Sequence, residues 1–373
     1  MKIAFIVRKY QTSGGTERFT FNISKYLAQQ GHNITIICNK NRIAPPHSNI
    51  RLFKIPQFPI NRAVKTLLFY LLTKSINLNN YDIVQGAGKV IKQDIYRAGG
   101  GFHKLYLRTN KKAPSSLYDR LAINIEKKIY DSKNTKCIIS VSNYIAGEIH
   151  REFGYPVERI EVFHNPVDLS LFNTDNKNFF QKQFNEKFNI NENCIKFLFV
   201  ANNFKLKGLP LILKTLQSIE KTNYYKLFIV GDNRSNKNDL PESIRKNVFF
   251  LGEKFGDELI EIYKSCNVLL HPTSYDPFAN VCLEAMACGL PVVTTKVNGA
   301  SEIMENYQDG IIIEDSNDVK GLENAVRKII SDNNLLKELT DNTLKNIRNY
   351  SIEKYADRLI KLYKKVKEEK FYA

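Results

Sequence analysis

Short apolar runs alternate with longer segments of helical periodicity along most of the chain. This alternation is typical of parallel β-sheets whose strands are connected by crossover helices. The apolar runs form two series. The first comprises residues 3–7, 34–38, 82–85, 137–141 and 161–163, and the second comprises residues 195–200, 227–230, 248–251, 268–271, 291–295 and 311–313. The pattern therefore predicts an α/β fold with two doubly wound parallel sheets.

A polar stretch over residues 165–193 separates the two series and is expected to contain a linker. We predict one domain over residues 1–168 and a second over residues 169–350. In residues 351–373 apolar positions recur at helical spacing, which predicts a C-terminal helix. Two doubly wound domains in one chain are expected to face each other across a cleft at the carboxyl ends of their strands, where open parallel sheets bind ligands.

The composition is that of a globular protein, but the charge is distributed unevenly. The 373 residues are 43% hydrophobic and 25% charged, which excludes a disordered or fibrous chain. Of the formal net charge of +17, residues 1–140 carry 24 basic and 6 acidic side chains, whereas the remainder carries 31 and 32. A genome-wide preference for lysine would raise the positive charge of both parts equally. We therefore expect a basic N-terminal face that attracts an anionic partner, either nucleic acid, a phosphorylated lipid or a membrane surface.

The cysteines and the hydropathy indicate a cytoplasmic protein. The six cysteines form no C-x-x-C motif and no pairing with His at zinc spacing, so we expect them to be reduced and buried. No apolar stretch approaches the length that spans a bilayer, and the apolar run at residues 3–7 is too short for a signal peptide. Any membrane contact is therefore expected to be peripheral. Residues 61–74, 103–112 and 117–130 mix apolar and cationic side chains and are candidates for it, although residues 67–72 fit a packed helix equally well.

A glycine pair follows the first apolar run. Gly14-Gly15 stands between a predicted strand and a predicted helix, where backbone N–H groups can approach a phosphate or a sugar. The segment is neither G-x-G-x-x-G nor a P-loop with its lysine, which disfavours dinucleotide binding and nucleotide hydrolysis. A plain turn explains the pair equally well.

The most specific motif lies in residues 271–295. A predicted strand ends at Pro272, an acidic loop with Asp276 follows, and a helix carries Glu284 and stops at Gly289. A loop carboxylate can accept hydrogen bonds from sugar hydroxyls, a helix N-terminus can bind a diphosphate, and a carboxylate one turn further can bind a ribose. A solvated acidic pair would explain either carboxylate alone, but it does not account for so many constrained neighbours.

Residues 271–295 resemble the signature of glycosyltransferase family 4, retaining enzymes with the GT-B fold. In that signature an acidic residue is followed after seven residues by Glu and then by an Ala-Met-Ala-Cys-Gly-Leu-Pro-Val-like stretch. The resemblance extends over nearly the whole chain, including residues 164–168 and 200–208. Residues 97–107 are similar to the lipopolysaccharide core glucosyltransferase I group. The resemblance implies two Rossmann-like domains, the first binding the acceptor and the second the nucleotide-sugar donor, with the C-terminal helix packing back on the first.

The resemblance also implies roles for single residues. Lys207 would neutralise the donor diphosphate, and Glu284 would bind the donor ribose. Asp276 would hold the sugar and phosphates. Gly15 would let the first domain close on the donor, and Gly14 beside it would belong to the same donor site. The remaining donor contacts would come from the backbone N–H groups of Phe278, Ala279 and Asn280.

The sequence departs from the family pattern at three points. Asp276 stands where most of the family has Glu, which puts the donor sugar in question. Many relatives carry an Arg where this chain has Asn202, so Lys205 is a candidate for that charge. Core-type relatives often place an Asp within the segment that here reads Gly99-Gly100-Gly101, which leaves His103 as a candidate to face the acceptor hydroxyl. An ordinary surface histidine is the alternative for His103.

The resemblance implies a retaining transferase that moves a hexose, with UDP-glucose favoured, to a lipid-linked glycan such as inner-core heptose of lipopolysaccharide. We expect it at the inner face of the cytoplasmic membrane. No Asp-x-Asp occurs, so we expect neither a metal nor another cofactor. The order of bond making stays open between same-face attack and a covalent intermediate. The alternatives are a catalytically silent sugar-nucleotide binder and a transferase acting on another cell-envelope glycan. A nucleic-acid-binding protein is disfavoured because no nucleic-acid module is recognisable.

Overall fold

The computed structural model describes residues 1–219, 224–231 and 240–371. These residues form two compact units. Unit 1 contains Met1–Pro166 together with the chain from Ile352 onward, and unit 2 is Val167–Ser351. Residues 372 and 373, the end of the predicted C-terminal segment, lie outside the described residues.

The strands and helices alternate along the chain. The strands are β1 (Lys2–Ile6), β2 (Lys9–Tyr10), β3 (Asn33–Cys38), β4 (Lys40–Asn41), β5 (Ile50–Lys54), β6 (Ile83–Gly86), β7 (Ile95–Ala98), β8 (Cys137–Ser140), β9 (Ile160–Val162), β10 (Ile195–Val200), β11 (Tyr225–Val230), β12 (Val248–Gly252), β13 (Val268–His271), β14 (Val292–Thr295) and β15 (Gly310–Ile313). The helices are α1 (Gly15–Gln29), α2 (Arg62–Ser75), α3 (His103–Thr109), α4 (Leu117–Ile129), α5 (Asn143–Phe153), α6 (Lys177–Phe188), α7 (Leu209–Gln217), α8 (Glu242–Arg245), α9 (Gly256–Ser265), α10 (Asn280–Ala287), α11 (Val319–Ser331), α12 (Asn333–Ile347) and α13 (Ile352–Phe371).

Within its described residues, unit 1 contains a seven-stranded parallel sheet in the order β5-β3-β1-β6-β7-β8-β9, with β2 and β4 paired separately. The strand order reverses between β1 and β6, as in Rossmann-like folds. All five apolar runs of the first predicted series are strands. Strands β5 and β7 are absent from the prediction because charged residues, including Arg51 and Arg97, interrupt their apolar pattern.

The core of unit 1 joins both ends of the chain. Apolar residues of α13, among them Tyr355, Leu359 and Tyr363, pack with β1, β3 and α1 in one buried cluster. The Tyr363 hydroxyl also donates to Gln85 Oε1 of β6 over 2.6 Å. This burial explains the helical spacing of apolar residues in the tail, because the buried face of α13 lies on the first sheet.

Unit 2 contains, in its described part, a six-stranded parallel sheet in the order β12-β11-β10-β13-β14-β15. All six runs of the second predicted series are strands of this sheet. Its central strands β10, β13 and β14 are buried throughout because α7 and α11 and other helices cover its faces, whereas the edge strand β12 is mostly half-buried. The strand order reverses between β10 and β13, and this switch point is where open parallel sheets bind ligands.

Two further expectations concern the cysteines and the membrane. All six cysteines are free and buried, which confirms the prediction for their state. Among the described helices, none has the length and apolar character needed to cross a bilayer.

Candidate active site

Two loops join at the switch point of unit 2. The loop after β10 is bonded to the loop after β13, because the carbonyl oxygen of Leu206 accepts hydrogen bonds from the backbone N–H of Ser274 at 2.9 Å and from Thr273 Oγ1 at 3.0 Å. The Ser274 hydroxyl adds a third hydrogen bond to the same oxygen at 3.1 Å. These bonds fix the residues that follow Leu206 beside the acidic loop.

Gly208 makes this junction sterically possible. Its φ of 90° lies in the left-handed region, and a Cβ at this position would stand 2.1 Å from the carbonyl oxygen of Pro272. A residue with a side chain would therefore have to displace backbone. Gly208 is also the N-cap of α7 and places Lys207 directly before that helix.

Lys207 and Asp276 form an ion pair across the two loops. Lys207 Nζ lies 2.5 Å from Asp276 Oδ2 and 3.3 Å from the carbonyl oxygen of Tyr275. The two side chains are 20% and 13% exposed, so the pair is largely shielded but still reachable from solvent. The other carboxylate oxygen of Asp276 accepts from the Phe278 N–H at 3.1 Å, which orients the carboxylate at the start of α10.

His271 lies beneath this pair at the end of β13. Its ring is buried, and Nε2 is 3.7 Å from Asp276 Oδ2. Burial lowers the pKa of His271. Burial would raise the pKa of Asp276, but the neighbouring His271 ring and the charge of Lys207 hold that pKa below its ordinary value. Asp276 is therefore an ionised carboxylate at neutral pH, able to accept hydrogen bonds from hydroxyl groups.

The N-terminus of α10 is held by Asn298. The Ala279 N–H donates to Asn298 Oδ1 at 3.2 Å, and Asn298 Nδ2 donates to Thr294 Oγ1 at 2.9 Å. The sequence prediction assigns no role to Asn298 or His271. Their positions in the sequence could have indicated a role for both residues. His271 is the last residue of the buried strand β13, and Asn298 follows the end of the buried strand β14.

Glu284 is a buried carboxylate one turn into α10. Only 3% of the residue is exposed, and its Oε2 accepts a hydrogen bond from the Tyr263 hydroxyl at 3.0 Å. Tyr263 belongs to α9 and was not predicted as part of the site. The predicted ribose contact therefore has a buried supporting partner that the sequence pattern does not reveal.

The structure brings Lys207, Asp276, Phe278 and Ala279 into one cluster at the start of α10, where Asn280 is the first helical residue. The Phe278 and Ala279 N–H groups already bond to side chains of the protein, so a phosphate would have to replace these bonds. Lys205 is exposed, and within the described residues its side chain has neither a hydrogen bond nor an ion pair, although its carbonyl oxygen accepts from the Gly208 N–H at 3.4 Å.

The remaining predicted residues belong to unit 1. Gly14, with φ 90°, is the N-cap of α1, and a Cβ there would lie 2.6 Å from Glu17 Oε2; Gly15 begins the helix. His103 begins α3, and its Nε2 lies 2.6 Å from Asp119 Oδ1. Hydrogen bonds from Ser116 and from His103 lower the pKa of Asp119. His103 is thus fixed by a carboxylate rather than freely solvated.

The segment 97–107 that carries the subgroup resemblance spans the end of β7 and the start of α3. Arg97 is buried, its guanidinium lies 3.6 Å from the centre of the Phe19 ring, and Nη2 donates to Asn165 Oδ1 at 2.5 Å. Arg97 therefore ties β7 to α1 and to the end of unit 1. Among the described residues, no group of three or more His, Cys, Asp or Glu side chains is arranged to hold a metal ion.

Two family models match the chain. The model described as Glycosyltransferase Family 4 matches residues 13–171, and the model described as Glycosyl transferases group 1 matches residues 180–346. Among similar proteins, the lipopolysaccharide glucosyltransferase WaaG of Escherichia coli is 23% identical over 362 residues, which cover 92% of this chain and 93% of that protein. Two uncharacterized glycosyltransferases of Methanocaldococcus jannaschii are 30% and 25% identical, and the matches span 61% and 64% of this chain but only 59% and 62% of those relatives, less than two thirds of their length.

Solved structures agree with these matches at the level of the fold. A crystal structure of WaaG aligns with a TM-score of 0.78 at 21% identity and covers 95% of this chain and 98% of that chain. A structure of Anabaena HepE in complex with UDP and glucose aligns with a TM-score of 0.73 at 16% identity and covers 98% and 100%. The fold is therefore of the GT-B type. With two family models that together cover most of its length, the chain belongs to glycosyltransferase family 4.

Proposed function

We propose that this protein transfers a hexosyl group, with retention of configuration, from a nucleotide sugar to a lipid-linked glycan. UDP-glucose is the favoured donor, and inner-core heptose of lipopolysaccharide is the favoured acceptor. The names of two similar proteins support these choices, since one is a lipopolysaccharide glucosyltransferase and the other was solved with UDP and glucose.

The observation that carries the proposal is the Lys207–Asp276 pair at the switch point of unit 2. It combines a cation and an ionised carboxylate within 2.5 Å at the start of a helix. A donor has the complementary groups: an anionic diphosphate and a sugar with several hydroxyls. Binding the donor would exchange the internal ion pair for contacts from Lys207 to phosphate and from Asp276 to sugar hydroxyls.

The same groups suit the transfer step. The bond between the anomeric carbon and the diphosphate oxygen breaks, and its electron pair leaves with the nucleoside diphosphate. Lys207 and the N-terminus of α10 would stabilise the negative charge that develops on this leaving group. The acceptor hydroxyl oxygen forms the new bond to the anomeric carbon. In same-face attack, its proton would pass to the leaving phosphate. We propose that this charge stabilisation requires no bound metal.

We propose that unit 1 binds the acceptor, with His103 in contact with the attacking hydroxyl. Asp119 supports this role by fixing the imidazole through Nε2. We also propose that helix α2 contacts the anionic inner leaflet, because Val64, Leu67 and Leu71 are exposed on it beside Lys74.

The experiment that tests the function measures nucleotide release from UDP-, GDP- and ADP-sugars, with and without a heptose-containing core acceptor, in the presence of EDTA. Glu284→Gln keeps the volume of the buried side chain while removing its charge. We expect release from one donor to depend on acceptor, and Glu284→Gln to reduce turnover more than tenfold, by the order expected for one lost charge-assisted contact.

Tyr263→Phe is the matched control, because it removes the hydrogen bond to Glu284 and leaves the carboxylate in place. We expect it to retain most of the turnover. If Glu284→Gln and Tyr263→Phe lose turnover equally, Glu284 contributes only to packing and does not bind the donor. Donor binding without release, for every acceptor offered, would instead support a silent sugar-nucleotide binder.

A further inference from the structure

A basic cavity lies in unit 1, at the carboxyl ends of three neighbouring strands. Arg8 follows β1 and Lys9 begins β2, Asn39 follows β3, and Pro56 and Gln57 follow β5. The cavity has a volume of about 30 Å³ and is open to solvent, and helix α2 lines it on one side. The carboxyl edge of an open parallel sheet is where such folds bind ligands.

The charge of the cavity is uncompensated. Arg8, Lys9 and Lys65 all line it, and none of its ten lining residues carries a carboxylate. Within the described residues, the side chains of these three cations form neither an ion pair nor a hydrogen bond. Three cations around one cavity repel each other, and an anion bound among them would remove that repulsion.

The walls of the cavity are fixed rather than loose. Asn39 Nδ2 donates to the carbonyl oxygens of Ile55 and Pro56 at 3.4 and 3.3 Å, which ties the segment after β3 to the segment after β5. The carbonyl oxygen of Arg8 accepts from the Asn39 N–H at 3.2 Å. The backbone at Arg8 is therefore bonded to the segment after β3, which is itself bonded to the segment after β5.

We propose that this cavity is a binding site for a phosphate group carried by the acceptor. A phosphate monoester offers three oxygens and close to two negative charges, which matches three cations better than a carboxylate does. The half-exposed ring of Phe58 also lines the cavity and offers an apolar surface to the sugar or chain that bears the phosphate. The identification of the bound molecule as the acceptor rests on the proposed function, whereas the phosphate site itself does not.

The test compares two double variants of the full chain. Arg8→Gln with Lys65→Gln removes two cations from the cavity. Arg51→Gln with Lys25→Gln makes the same change of charge at exposed positions of unit 1 outside the cavity. Calorimetric titration with glucose 6-phosphate and with glucose, in excess UDP, gives the contribution of the phosphate. We expect the cavity variant to bind glucose 6-phosphate at least about tenfold more weakly, and the control to bind it like the wild type.

A second arm separates the two sources of phosphate. Co-sedimentation with vesicles of phosphatidylcholine, with and without phosphatidylglycerol, reports a lipid headgroup. A loss confined to the cavity variant and to glucose 6-phosphate supports a phosphate on a sugar. A loss confined to the cavity variant and to phosphatidylglycerol vesicles supports a lipid phosphate.

Two results overturn the proposal. The first is that the cavity and control variants bind glucose 6-phosphate and phosphatidylglycerol vesicles equally well. The second is that the cavity variant binds both probes as strongly as the wild type. Thermal unfolding checks that each variant is folded, and Lys65→Arg should retain binding because it keeps the charge. Donor-dependent nucleotide release is measured separately. If the wild type binds the phosphate probes but releases no nucleotide, the proposed function is refuted. If the wild type releases nucleotide and the cavity variant binds the phosphate probes as strongly as the wild type, the phosphate site is refuted.

Discussion

Gly208 allows a direct test of how the candidate site is built. In Gly208→Ala, the new methyl group meets two obstacles. The φ of 90° costs a residue with a Cβ about 1–2 kcal/mol. The methyl carbon would also stand 2.1 Å from the Pro272 carbonyl oxygen, so the loop must move away from β13.

The movement of the loop affects its bonds to the acidic segment. Ser274 and Thr273 donate to the Leu206 oxygen, and each such hydrogen bond contributes about 0.5–1.5 kcal/mol. We therefore expect Gly208→Ala to lower the free energy of unfolding of unit 2 by about 3 kcal/mol. For a unit of this size, that corresponds to a fall in Tm of about 6–12 °C. Because Lys207 moves with the loop, affinity for UDP should fall about tenfold, the equivalent of one lost contact.

Gly252→Ala is the matched control in the same unit. Gly252 also has a positive φ, 73°, but a Cβ there meets no atom within 4 Å. Gly252→Ala should lower the free energy of unfolding by only about 1–2 kcal/mol, the cost of a Cβ in the left-handed backbone conformation, and should keep its affinity for UDP. Differential scanning calorimetry and calorimetric titration with UDP measure the two effects. Equal Tm values and equal UDP affinities for the two variants would refute the assignment of Gly208 to the junction of the loops.

Two further predictions concern the site and the membrane surface. Because the pKa of Asp276 in the folded protein lies below the ordinary value of 3.8, the stability that its ionised form contributes is present above that pH and is lost as pH falls below it. The difference in unfolding free energy between wild type and Asp276→Asn, from urea titrations, should be constant from about pH 5 to 7 and shrink towards pH 3; a constant difference throughout would contradict the ion pair. Leu67→Glu with Leu71→Glu on α2 should reduce co-sedimentation with phosphatidylglycerol vesicles by about tenfold or more. Val157→Glu with Leu171→Glu is the control, because both residues are exposed and lie outside the three candidate membrane segments. Unchanged binding by the α2 variant would exclude α2 as the contact.

The periodicity of the sequence determines most of the fold. Parallel strands buried on both faces read as apolar runs, which is why all eleven predicted runs are strands of the two sheets. The pattern fails where a strand carries charged side chains. In β5 these side chains are exposed at the sheet edge, and in β7 Arg97 is buried against Phe19 and Asn165. Such partners lie far away in sequence and leave no local signal.

In the candidate site, too, some features follow from the sequence and others only from the tertiary structure. The sequence by itself determined that Asp276 and Glu284 flank the start of a helix, because their spacing and the strand before them are local features. Only the tertiary structure decided that Lys207 contacts Asp276 across 69 positions, that Tyr263 supports a buried Glu284, and that Arg8, Lys9 and Lys65 surround one cavity. The physical reason is that parallel strands bring loops distant in sequence to the same sheet edge, and which loops meet there depends on strand order, which periodicity does not encode.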